Sequence, residues 1–313
     1  MDQAHWFDDL PVLGNMTPEQ AALKLRELGE EEMTGKPASS KPVVTRGAGA
    51  ATSRSFGDWW PFGEKAWHHT GHAFGHIAPA PPNESDLPIR HAGNIAPDQA
   101  LKNARIKITL DAMRVADYPG RGTHRVLMDF YAQNHRPEGV EHLHFNATYR
   151  VRENEHAAVL SYPLFVGLNA GSDGVALKCY TVNVKNEDDG SFLNFLETDV
   201  FRLGLQLGSF AHPAVTLFSE MAYGLTRAIA RRTKNVAVQD FHLGLDFSNI
   251  PTRARLAEGS YLAVQIPENI QTVWEWKEWV FNPNSGRVVK RDDPAQLIPY
   301  NYVIFGVSRY EGK

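Results

Sequence analysis

The chain has 313 residues, of which 42% are hydrophobic and 22% charged, with a formal net charge of -4. This is the composition of a soluble globular protein with enough material for one large domain or two small ones. With 32 basic against 36 acidic residues there is no cationic excess to hold a phosphate backbone, so nucleic acid is not an expected partner. The single cysteine, Cys179, cannot staple the fold and lies in a strand-like run, where it reads as a core residue.

In chain order, the first segment, MDQAHWFDDL, is acidic and lacks the basic, apolar and small-residue order of a signal peptide. The longest apolar stretches are too short and interrupted to span a bilayer, so a cytoplasmic protein is expected. Residues 1–95 read as an extended, mostly irregular N-terminal region. It carries one short helix, about residues 18–29, signalled by Thr17-Pro18-Glu19-Gln20 and the apolar residues Ala21, Ala22, Leu23, Leu25 and Leu28. Residues 34–55 have linker composition. Trp59, Trp60, Phe62 and Trp67 are the aromatics that could pin this region to the rest of the chain or to a partner.

The stretch WHHTGHAFGH, residues 67–76, holds four histidines. His68, His72 and His76 are spaced by four, which on a helix would place three imidazoles on one face and suit zinc. Gly71 and Gly75 oppose a helix, and no HExxH pattern is present. A histidine-rich loop packed through its aromatics is therefore the expected form. Pro79, Pro81, Pro82 and Pro88 then suggest a second linker.

From about residue 96 onward the texture is β. Alternating or apolar runs predict strands over 106–110, 124–132, 143–151, 175–184, 238–247, 260–266, 271–281 and 302–307. Two helical patterns interrupt them within 192–232. One runs through Phe192, Phe195, Leu196, Val200, Leu203 and Leu207, the other through Val215, Phe218, Met221, Ala222, Leu225 and Ile229. Helices do not alternate with strands, so a parallel α/β fold is not expected. The expected fold is mainly β: an antiparallel β-sandwich over 96–313 with two inserted α-helices.

Two segments resemble the C2 family of β-sandwich domains. They are IKITLDAMRVADYPG followed by HRVLMDFYAQ, and ALKCYTVNVKNEDDGSFLNF, together within residues 106–192. The resemblance implies a C2-like sandwich in which loop acids, here Asp117, Asp188 and Asp189, hold calcium and face an anionic membrane. Where the family sets alternating aspartates at the strand end, this chain has Asn183, Lys185 and Asn186. The lysine charge opposes a cation that needs six to eight oxygen ligands, so a calcium-independent C2-like scaffold is expected.

No catalytic motif is complete. His142 and His144 form an HxH pair without the rest of a cupin pattern, no GxSxG elbow or GxxxxGK[ST] loop occurs, and Glu187-Asp188-Asp189 and Asp292-Asp293 read as solvated loop acids. Trp274 and Trp276, two apart in a predicted strand, would share a face and could offer a partner platform. The apolar run 297–305 predicts a strand inside the core. Three readings follow. The first is a non-enzymatic cytosolic scaffold binding a protein partner or itself through Trp59, Trp60, Trp274 and Trp276 within a larger assembly, with no cofactor. The second is a metal-dependent hydrolase with zinc on His68, His72 and His76. The third is a peripheral membrane module in the C2 manner, with or without calcium.

Overall fold

The computed structural model describes residues 65–81, 84, 86–137, 139–157, 159–185, 229–230 and 234–311. The helix expected at 18–29, the aromatics Trp59 and Trp60 and the acids Asp188 and Asp189 lie outside them. Of the expected insertion 192–232, Ile229 and Ala230 are described, and both are helical. Among the described residues no helix is long and apolar enough to cross a membrane.

The fold is mainly β. Its strands are β1 (Gly71–Ile77), β2 (Leu87–His91), β3 (Arg105–Val115), β4 (Thr123–Arg136), β5 (Gly139–Arg152), β6 (Glu155–His156), β7 (Tyr162–Asn169), β8 (Val175–Asn183), β9 (Val236–Asp246), β10 (Ala254–Arg255), β11 (Gly259–Ile266), β12 (Trp279–Asn282), β13 (Arg287–Lys290), β14 (Asp293–Leu297) and β15 (Tyr302–Arg309). Sheet 1 has the order β14-β13-β12-β2-β1-β11-β15-β3-β6, with β7 also on β3, and sheet 2 the order β10-β9-β8-β4-β5. Every pairing is antiparallel except the two-residue contact of β10 with β9.

The two sheets share one core. Ile106, Ile108 and Leu110 of β3, and Val303 and Phe305 of β15, meet Phe130 of β4, Cys179 of β8 and Phe241 of β9. Phe130 stands edge-on to Phe305 at 5.4 Å between ring centroids, which joins the sheets at mid-height. Cys179 is buried there and burial pushes its thiol well above the ordinary value, so it is a small apolar filler rather than a nucleophile. Strands in contact with one core should alternate in burial, and β9 does so from Phe241 to Leu245.

β11 and β15 do not alternate. Tyr261 to Ile266 and Tyr302 to Phe305 are buried without a break. The reason is a second core on the opposite face of sheet 1. There Leu262, Val264, Ile266, Tyr302 and Ile304 pack against Trp276, Trp279, Val288 and Ile298. The sheet curls back on itself through β12 and β13, so its central strands are covered on both sides. Burying each such aliphatic side chain is worth about 1.5–3 kcal/mol.

Three sequence expectations are corrected here. The histidine stretch is mostly strand rather than loop or α-helix: after the turn Ala66–His68, residues 71–77 form β1, paired along its whole length with β11. The division expected near residue 95 falls inside sheet 1, because β1 and β2 join β11 and β12. The strand expected over 271–281 begins only at Trp279. Trp276–Glu278 form a 3-10 turn before it, so Trp274 and Trp276 do not share a strand face.

Candidate functional site

The sheets end in loops at two opposite ends, and one end holds a cluster of buried polar side chains that includes Thr181, Asn183, Gln239, Gln265 and Asn301. There β3, β5 and β8 finish and β4 and β9 begin. The connection from β3 to β4, residues 116–122, is anchored at its start by one side-chain amide. Asn301 is fully buried. Its Oδ1 accepts from the backbone N–H groups of Ala116 (2.8 Å) and Asp117 (3.1 Å), and its Nδ2 donates to the Asp117 carbonyl (2.9 Å) and to Gln265 Oε1 (3.0 Å). Gln265, also fully buried, donates in turn to the carbonyls of His69 (2.6 Å) and Val238 (2.7 Å). Two neighbouring side chains thus tie three other backbone segments, at His69, at Ala116 and Asp117, and at Val238, to their own segments. Backbone groups that leave a sheet at a loop must find such partners when buried.

A second chain of contacts runs beside the first. Thr181 of β8 faces two residues of β9, Val238 and Gln239, across a bulge. A bulge leaves a ladder N–H unpaired, and here Gln239 donates it to the Thr181 hydroxyl (3.0 Å). The same hydroxyl lies 3.1 Å from that of Tyr118, whose complete burial pushes its phenol up to about 12. Asn183 donates to the Pro119 carbonyl (2.7 Å) and contacts His124 Nδ1 at 3.3 Å. Burial lowers the His124 imidazole.

Charge gathers outside this buried layer. Burial raises the Asp117 carboxyl, against the backbone of Ala66 and the charges of Lys65 and His68, which lower it. Lys185 reaches over Gly120, whose φ of 107° strains any other residue; an added Cβ there would lie 2.8 Å from the Lys185 Nζ. The Lys185 backbone N–H donates to Asn235, which donates to the Ile229 carbonyl. The arrangement is a stiff base carrying a polar loop with an acid, two lysines and the exposed Arg121. It can present a fixed set of donors and charges to a partner. It brings no nucleophile and base together.

The sequence-selected histidines are dispersed. His68 is exposed in the turn Ala66–His68 and stacks on Trp67 at 3.7 Å. His72 is buried between Phe74 and Phe241, its Nε2 has no partner, and burial lowers it to about 4. His76 is buried, bonds the Glu258 carbonyl at 3.0 Å, and is likewise lowered by burial. On a strand, residues four apart are separated by about 13 Å, whereas nitrogens sharing one zinc sit about 2 Å from it. Among the described residues no group of three or more His, Cys, Asp or Glu side chains is placed to hold a metal.

His144 is buried and bonds Asp129 at 2.9 Å, while His142 stacks on Tyr131. Trp276 and Trp279 are buried, and Trp274, half-buried, stands edge-on to Trp276 at 5.5 Å. Asn301, Gln265 and Thr181 were not singled out by motif. A signal was present for two of them: Gln265 and Asn301 are the polar interruptions of the apolar runs 261–266 and 297–305. Comparison with known proteins returns no match, whether to a family model, to curated proteins or to solved structures.

Proposed function

We propose that the chain is a non-enzymatic cytosolic binding module, C2-like in its sandwich architecture. It engages a protein partner through the loop end around Asp117, as one part of a larger assembly. The observation that carries this reading is the grip of Asn301 on the loop 116–122 through three hydrogen bonds, to the N–H groups of Ala116 and Asp117 and to the Asp117 carbonyl. Ordering a loop in advance removes an entropy cost from binding, and rigid scaffolds position functional loops in this way. The resemblance of 106–192 to C2 domains supports the same end, since Asp188 and Asp189 follow Lys185 in sequence. Lys185, laid across the Gly120 turn, puts a cation where calcium would need oxygen ligands, which favours a calcium-independent mode.

The test is site-specific photo-cross-linking of the full chain in its host cell. A benzophenone residue replaces Arg121 at this end or Val140, exposed at the opposite end. A discrete adduct from position 121 and none from 140 supports the reading. Equal adducts, or none from 121, overturn it. Sedimentation with anionic vesicles that is lost in Lys185→Glu would move the ligand from a protein to a membrane surface and also overturn it.

A further inference from the structure

Arg114 is a buried guanidinium without an acid. It lies in β3, in register with Tyr302 of β15 on one side and His156 of β6 on the other. Directly opposed residues project from the same face, so the three form a row on the outer face of sheet 1. Arg114 is only 3% exposed. Its Nη1 donates to the Asn154 carbonyl at 2.8 Å, and its Nε is buried with no partner. The β13 strand closes over the row: the Val288 N–H donates to the Tyr302 hydroxyl at 3.3 Å. Its neighbour Arg287 is exposed and its charge acts on both Arg114 and His156.

His156 Nε2 lies 2.7 Å from the Tyr302 hydroxyl. Burial, then the charges of Arg114 and Arg287, push this imidazole down to about 4. It is neutral at pH 7, and with Nε2 engaged by the hydroxyl we assign its proton to Nδ1, a further donor. Among the described residues no carboxylate pairs with Arg114, Arg287 or His156. A buried cation is costly unless paired, and two guanidiniums held near each other repel. Both costs are relieved by an anion between them.

We propose that Arg114, Arg287 and His156 form a binding site for a phosphate-like oxyanion at the seam between β3, β6 and β13. Donors that arrive from three different strands suit a tetrahedral anion. A planar carboxylate is best held by one guanidinium fork. The shared chemistry covers free phosphate and a phosphomonoester. This site lies on the outer face of sheet 1, at the end of β3 that leads into the loop 116–122, and none of its three anion-binding side chains belongs to that loop.

Calorimetric titration of the full chain at constant ionic strength tests this, with inorganic phosphate, phosphoserine and acetate as probes. The histidine Cε1–H resonances are followed in parallel. Saturable binding of phosphate or phosphoserine, with a shift of the His156 resonance, is expected. The tighter of the two identifies free ion or ester as the source. Arg287→Gln, an exposed change that leaves both cores intact, should weaken binding at least about tenfold, as should Arg114→Lys, which loses the guanidinium fork. Arg150→Gln, which removes an equally exposed charge from β5, should leave it unchanged. Unsaturable heats into the tens of millimolar, acetate binding as tightly as phosphate, or equal weakening by Arg150→Gln would overturn the assignment.

Discussion

Truncating Asn301 tests whether one amide holds the loop end. Asn301→Ala orphans the N–H groups of Ala116 and Asp117, the Asp117 carbonyl and Gln265 Oε1. Each buried polar group left without a partner costs about 1–3 kcal/mol. Asp117 is half-buried, so water can reach its two backbone groups after a small shift. Gln265 Oε1 and the Ala116 N–H lie deeper, in fully or nearly fully buried residues. The net expectation is a loss of about 3–5 kcal/mol, at the upper end of single substitutions. Urea unfolding followed by fluorescence reads this as a lower midpoint at unchanged slope. Amide exchange should quicken at Ala116 and Asp117 first, well before Val303 in the middle of sheet 1. A loss below about 1 kcal/mol, or exchange that quickens uniformly, would refute the reasoning, because the loop would then be held by something other than Asn301.

Two further outcomes follow from burial. His72 takes a proton below 6.5 in the unfolded chain but only below about 4 when folded. As pH falls through that window the unfolded state gains the proton first, so stability is full above the window and is lost across it. The loss attributable to His72 is about 3 kcal/mol, and His72→Phe should flatten the decline in melting temperature between pH 6.5 and 4. An unchanged slope in that variant would place the acid sensitivity elsewhere. Trp276, 5% exposed, lies with its ring against Gly75, where an added Cβ would come within 3.1 Å of it. Trp276→Ala should therefore cost about 3–5 kcal/mol by thermal unfolding, and a change within about 1 kcal/mol would show that the ring is surface rather than core.

Several strands were legible because their burial follows a simple rule. The alternation of 238–247 gave the inward face of β9, and the runs 260–266 and 302–307 were legible as strands, though their burial on both faces came only with the second core. β1 was not legible. Its sequence, GHAFGHI, carries two glycines that local propensity counts against a strand. They are required by neighbours remote in sequence: a Cβ on Gly71 would lie 2.8 Å from the Ile266 carbonyl, and one on Gly75 would strike Ile89. β12 was placed too early because Trp274 to Phe281 looks like one alternating run, whereas Trp276 is drawn into the second core and breaks the strand with a turn.

The sequence by itself determined that this protein is mainly β, that Cys179 is core, and that no known catalytic motif is spelled out. These depend on composition, on period and on local spacing, which need no knowledge of what lies opposite. Only the tertiary structure decided where the polar residues meet. It left His68 in the turn before β1 and separated His72 from His76 along that strand, joined Asn301 to Asp117 across 184 residues, and set Arg114 beside His156 and within reach of the Arg287 charge. Such meetings arise from strand register and from the curl of sheet 1. Both are fixed by the sum of many buried contacts rather than by any one stretch of chain.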